Sequence, residues 1–595
     1  MLEKKDLSRR TFLAGSAVAA GAATLATTGC SNGGDKGGSA PAEDGKATLV
    51  FKNAHVQTMV AEDDVAEAVA VKGNEIVYVG DAAGVEEFVG DGTEVIDLGG
   101  AFLAPGFIDS HIHAPGVWDN KLFGISFDGM TTNEEYLAEV KRVVEANPDN
   151  EAYWGGNFMF NAYELPDGSN PGPMAADLDA ICADKPILLS DVSNHCMWVN
   201  SKALELGGLT KDTPDIEGGM IYRDAEGNPT GCLADNAIGP VSAAVDTSFT
   251  MEQIEEALYK FMEEANSYGI TGVCNMGRGG GLEDNKLFHK LDEKGDLTVR
   301  FMNSSTTSPG MNPDDVLQEI KDSKELESDM LHTQLAKIFY DGVTESGTAY
   351  MLQPYLESTG LGSDWYGEPV WDHDEFEAMV KKFDAAGLQV HVHAIGDAAV
   401  QKTIDSYIAA LEENGDRDHR HTITHVCAIT DDDIQRMADH NFIASLQFLW
   451  MYGDPLYELE CSYIGDERAN AMYPVKRMWD AGVLISGASD NPVTPYVVTD
   501  EMEIGVTRNS PYPGEEDTDM TRWPEQGLTA YQMLEAYTKH SAYQNFWEDM
   551  VGTIEVGKKA DIVVLDQNIL DVEPTKINDS KILYTVSDGR VVYKG

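Results

Sequence analysis

Basic side chains are scarce. Lys and Arg number 42 against 101 Asp and Glu, a formal net charge of −59. A surface this acidic argues against nucleic-acid binding and against charge-driven attachment to anionic lipid. It favours solubility and suits a salty or calcium-rich setting. Cysteine is also rare, seven in 595 residues, and no two are spaced as C-x-x-C. That pattern reads as isolated buried thiols, and spacing alone names no disulfide. The apolar stretch Ala14 to Ala26 is too short to span a bilayer as a mature helix. No internal repeat is evident. What remains is a chain too long for one compact core, with 42% hydrophobic residues, enough for a globular protein.

The first 30 residues read as a targeting segment. Ser8-Arg9-Arg10-Thr11-Phe12-Leu13 is a twin-arginine pattern, and Thr27-Thr28-Gly29-Cys30 is similar to a lipoprotein cleavage box, with Thr27 where an aliphatic residue is usual. The expectation is Tat export, lipidation of Cys30 and an extracytoplasmic location anchored to the cell membrane; a simple cleaved export peptide is the alternative. Residues 31–47 form a flexible tether rich in Gly, Ser, Asp and Ala. Residues 48–101 and 552–595 carry short alternating strands and hairpin turns at Gly73-Asn74 and Asp588-Gly589. They are expected to form one small β-sandwich domain built from both termini. Between them, residues 102–551 alternate buried strand-like runs with amphipathic stretches, the pattern of a parallel sheet. An α/β fold with a closed (β/α)8 TIM barrel is the expected architecture. Such a barrel needs only about 250 residues, so a large insertion is expected after the first barrel strand, at about 118–245.

Chemistry-bearing residues recur at the ends of these runs. His111 and His113 follow Phe107-Ile108-Asp109-Ser110, and strand alternation points both the same way. Lys337 lies inside Leu335-Ala336-Lys337-Ile338-Phe339. A lysine there is costly unless paired or chemically altered; burial lowers its pKa, and the neutral amine can take up CO₂ as a carbamate. The alternatives are snorkelling to the rim or pairing with Asp341. His391 and His393 form a second H-x-H, one a ligand and the other lower in the barrel. His421 and His425 share a face, and Asp490 ends the run before Asn491-Pro492. A carboxylate there can touch metal and accept a proton. Jointly, at strand ends on one barrel face, these residues predict a metal-dependent hydrolase. Trp154, Trp198, Trp450 and Tyr340 point to an apolar substrate group or to ordinary core packing.

The segments PGFIDSHIHAPG, NHCMWVNSKAL, GGMIYRDAEGNPTG, AKIFYDG, VHAIGDAAV, ITHVCAIT, GASDNPV and VGTIEVGKKADIVVLD resemble the amidohydrolase superfamily, in particular its family 3 (YtcJ-like) branch. The resemblance covers nearly everything after about residue 48. It implies that His111 and His113 hold the more buried metal with Asp490. It implies that Lys337, N6-carboxylated, bridges to a second metal held by His393 and His425, and that Asp490 also acts as the base. The implied ion is zinc, one or two per site. His195 and Asn200 fall where substrate is expected. Two departures lie near the expected pocket. Val343 to Ala349 lacks an arginine, and Asn275 stands where the family often has Asp. The implied reaction is hydrolysis of a carbon–nitrogen bond, a linear amide other than a peptide, in a small-molecule substrate. The same barrel could carry deamination, decarboxylation or isomerisation, and a non-catalytic solute-binding lipoprotein is a third reading. Oligomeric state is left open.

Overall fold

Eight strands pair in sequence order as one parallel sheet: β1 Phe107–Ile112, β2 Ile270–Asn275, β3 Arg300–Thr307, β4 Leu331–Phe339, β5 Gln389–Ala394, β6 Thr422–His425, β7 Ile443–Leu446 and β8 Leu484–Gly487. The computed structural model describes residues 45–595 apart from 128–129, 164–171, 192–195, 215, 217–218, 278–280, 360 and 513–519. The targeting segment with Cys30, most of the tether and His195 lie outside the described residues. β1, β2 and β5 are buried at every position, as expected of strands covered on both faces.

The sheet closes on itself by hydrogen bonds between the segments that leave β1 and β8. Asp490 N–H donates to His111 O at 2.8 Å, and His113 N–H donates to Asn491 O at 2.8 Å. One glutamine pins the seam from below. Gln544 Nε2 donates to Ser110 O at 2.9 Å, its Oε1 accepts from Ser486 Oγ at 2.5 Å, and its carbonyl accepts from Gln389 Nε2 at 2.8 Å. β1, β5 and β8 are thus tied to one residue. The (β/α)8 barrel expected from the sequence is the observed fold. Helices His373–Ala385 and Asp397–Asn414 follow β4 and β5, the first capped by Asp372, whose carboxylate accepts from Asp374 and Glu375 N–H.

Both termini build a pair of sheets, one of four strands and one of six. Leu49, Phe51, Val69, Val71, Leu103, Ile562, Val564 and Val586 share their core. The hairpin Ile582–Ser587 to Arg590–Lys594 turns at Asp588 (φ 47°) and Gly589 (φ 74°), the geometry that suits the twist of adjoining strands. One boundary differs from the sequence reading. Phe102–Pro105 belongs to the six-stranded sheet, antiparallel to Ile562–Leu565, so the barrel begins after Gly106. A Cβ at Gly106 would meet the Thr271 side chain at 2.3 Å, which is why the chain crosses from sheet to barrel at a glycine.

Residues 115–260 form a second compact unit. Its six-stranded mixed sheet includes Tyr153–Phe158, Ile187–Asp191 and Cys196–Val199. The sheet packs on helix Asn133–Ala146 through Tyr136, Val140, Val143, Phe158 and Trp198. Thr132 and Glu135 close a capping box at the start of that helix. Among the described residues no helix is long and apolar enough to cross a membrane, and Cys182, Cys196, Cys232, Cys274, Cys427 and Cys461 are free thiols.

Candidate metal centre

The C-terminal ends of β1, β4, β5, β6 and the segment after β8 converge. Ligand atoms of His111, His425 and Asp490 lie within 4.8 Å of one another, all three residues buried. His111 Nε2 and His113 Nε2 stand 3.2 and 3.4 Å from Asp490 Oδ1. Lys337 Nζ is 3.4 Å from His111 Nε2. The His393 and His425 rings meet edge to face at 4.4 Å between centroids. Five separated stretches of chain therefore bring six metal-ligating or basic side chains into one cluster.

The outer nitrogen of each imidazole is already committed. His113 Nδ1 is 3.1 Å from Gly277 O, His425 Nδ1 is 2.8 Å from Gln447 Oε1, and His111 Nδ1 is 2.8 Å from His391 Nε2. A carbonyl oxygen accepts only, so Nδ1 of His113 and of His425 carries the proton and Nε2 keeps its lone pair toward the cluster. His393 is turned the other way, with Nε2 3.3 Å from Gly342 O and Nδ1 left over. Such outer partners fix ring orientation and tautomer at metal sites. Trp450 adds a flat wall, stacked on His425 at 5.1 Å and 11°. Backbone strain accompanies the arrangement. His425 (φ 77°), Val426 (φ 42°) and Asp490 (φ 58°) hold left-handed conformations as non-glycine residues, at about 1–2 kcal/mol each.

Burial sets the charge state. It pushes the His111 and His425 imidazoles well below their ordinary range and His393 down to about 3, with Lys337 and neighbouring histidines acting in the same direction. Burial pushes Lys337 down to about 7, opposed by the Asp490 charge. Burial alone would raise Asp490, but the neighbouring basic groups His113, His425 and Lys337 outweigh it and hold the carboxylate below its usual value. His111, His393 and His425 are neutral imidazoles around an ionised carboxylate, a donor set that a borderline divalent cation takes.

Lys337 is 0% exposed and so does not snorkel. Asp341, its alternative partner, accepts instead from Ile395, Gly396 and Tyr350 N–H at 2.9 to 3.0 Å. His391 lies one layer below His393, against His111. His421 bonds Asp384 at 3.1 Å, away from the cluster. Asn200, expected near substrate, is corrected by its surroundings. It caps helix Ser201–Leu206 through Ala203 N–H, accepts from Ile187 N–H and donates to Cys182 O and Lys185 O. Its full hydrogen-bonding capacity is consumed inside the fold, leaving nothing for a ligand. Trp154 lies tilted against Phe249 at 4.6 Å between centroids and packs against the core of its own unit. The sequence reading did not single out Gln447, and gave Trp450 only as an aromatic. Both follow the short strand β7, and no motif marks them. A cavity of about 90 Å³ opens beside the ends of β2 and β3, lined by Asn275, Gly277, Asn303, Ser304, Thr306 and Met311 among others.

Known proteins place the chain further. Putative amidohydrolase YtcJ of Bacillus subtilis (strain 168) is 27% identical over 556 residues, 92% of this chain and 99% of that protein. N-substituted formamide deformylase of Arthrobacter pascens is 26% identical over 553 residues, 92% of this chain and 98% of that protein. The solved structure of an uncharacterized metal-dependent hydrolase from Pyrococcus furiosus shares the fold, with a TM-score of 0.69 at 22% identity over 88% of this chain and 100% of that one. The model of the amidohydrolase family matches residues 94–593, so the chain belongs to the amidohydrolase family.

Proposed function

We propose that this amidohydrolase-family, metal-dependent hydrolase cleaves a linear amide outside peptides, by water activated at the cluster of His111, His113, His425 and Asp490. The observation that carries the reading is the committed outer nitrogens. Three imidazoles from two strand ends, His111 and His113 at the end of β1 and His425 at the end of β6, are each held by a further partner, with one ring nitrogen left toward a buried carboxylate. His111, His113 and Asp490 would hold one ion, and His393 and His425 a second. Lys337 would bridge them once its neutral amine adds CO₂, forming an N–C bond and releasing one proton. Its complete burial at a low pKa supports that step. A bound divalent ion, zinc by the chemistry of the donor set, supplies Lewis acidity that polarises a carbonyl and makes water acidic near neutrality.

The residues do the rest. Asp490, ionised and 3.2 to 3.4 Å from two imidazoles, takes the proton of the attacking water and returns it to the leaving nitrogen. Gln447, Gly277 and Gly342 fix the ring orientations of His425, His113 and His393. The name of the Arthrobacter pascens relative supports the amide class. A zinc-reconstituted sample assayed on N-formyl amines, N-acyl amines, cyclic amides and amino-heterocycles tests it. Turnover of linear amides is expected; release of ammonia from amino-heterocycles alone would contradict it. We also propose Tat export and lipid anchoring at Cys30, supported by Ser8-Arg9-Arg10 and the box around Cys30.

A further inference from the structure

A chain of buried amides runs from β2 away from the cluster. Asn275 Oδ1 accepts from Ala114 N–H at 2.9 Å and from Gly277 N–H at 3.0 Å. Two backbone donors on one oxygen fix which end of the carboxamide is oxygen. Asn275 Nδ2 must then donate, and it does so to Asn303 Oδ1 at 2.9 Å. Asn303 Nδ2 donates to Asn285 Oδ1 at 2.7 Å, and Asn285 Nδ2 to Ser323 Oγ at 3.0 Å. All four residues are buried.

The near end of this chain brackets His113. Ala114 is its covalent neighbour, and Gly277 O is the acceptor for its Nδ1. Asn275 thus grips the backbone on both sides of the hydrogen bond that decides the His113 tautomer. We infer that Asn275 is a positioning residue for His113, holding the Gly277 carbonyl so that Nδ1 is protonated and Nε2 faces the metal cluster. The inference rests on the reading of His113 as a metal ligand.

The far end explains what can replace Asn275. In Asn275→Asp, Oδ1 still accepts from both N–H groups, while the other oxygen, now an acceptor, faces Asn303. Asn303 and Asn285 can each rotate their carboxamides by half a turn. Ser323 then changes from acceptor to donor, which a hydroxyl does freely. Every buried group stays paired, and the relay simply runs backwards. In Asn275→Ala, two backbone N–H groups and Asn303 Oδ1 lose their partner.

Zinc affinity, read by chelator competition, separates positioning from plain support. Asn275→Ala should weaken zinc binding about 10–100-fold, and Asn275→Asp should restore it to within about threefold of wild type. In a His113→Ala background, Asn275→Ala should add less than about threefold, because the ring it positions is gone. A folded Asn275→Ala protein that binds zinc like wild type overturns the inference, as does an equal loss in the His113→Ala background. Should Asn275→Ala fail to fold, Asn275→Asp decides alone: a loss of about tenfold or more means the relay does not reverse. If His113→Ala itself leaves zinc affinity unchanged, the ligand reading fails. If His113→Ala weakens binding and Asn275→Ala does not, only the positioning role fails.

Discussion

Asp490 and Lys337 carry opposite demands within one cluster. Asp490 must be ionised to accept a proton, and its surroundings hold it so. Replacing it with asparagine keeps its size and removes the base. Asp490→Asn is expected to lower kcat on a linear amide about 10²–10⁴-fold with an unchanged circular-dichroism melting curve; wild-type turnover would show that another group is the base. Lys337 makes a prediction about pH. Burial pushes its pKa down to about 7 from the ordinary lysine value of 10.5, so between those values the unfolded chain binds a proton that the folded one does not. Stability of the metal-free protein in CO₂-free buffer therefore rises with pH through this window, by at most about 1.4 kcal/mol per pH unit from this residue. Between pH 7 and 8.5, urea midpoints for wild type should climb relative to Lys337→Met. Parallel profiles would mean that the amine is not desolvated.

The elements explain what the sequence could and could not display. β1, β5 and β6 were readable because histidines alternate with apolar residues that can only be core. β3 hides its nature: Asn303 to Thr307 is five polar residues in a row, four of them buried, with Asn303 serving the amide relay. β7 has four residues and no chemistry of its own, so Gln447, which fixes His425 from 22 positions away, carried no local signal. The boundary at Gly106 was obscured because Phe102–Pro105 and β1 are both fully buried strands, differing only in the sheet they join. Asn200 was misplaced because an N-cap asparagine and a ligand-binding asparagine look alike in sequence. Seam closure rests on Gln544. Gln544→Leu strips a donor from Ser110 O and an acceptor from Ser486 Oγ inside the core, and is expected to cost about 2–4 kcal/mol by urea denaturation. A loss below about 0.5 kcal/mol would place the closure elsewhere.

At the scale of the molecule, a net charge of −59 sets the conditions under which the fold is comfortable. Self-repulsion opposes compaction and is screened by salt, so the melting temperature should rise between about 0.1 and 1 M NaCl. A flat response would mean that the acidic groups are too dispersed to matter. Cys30→Ser should move the protein from the membrane fraction to the soluble exported fraction if the anchor is a lipid; unchanged fractionation would remove it. The central claim is that distant stretches of chain meet to bind cations, and anomalous diffraction at the zinc edge from reconstituted crystals tests it most directly. The prediction is a strong peak beside His111, His113 and Asp490, with any second peak beside His393 and His425; a peak elsewhere, or none on a sample proven to contain zinc, would contradict it.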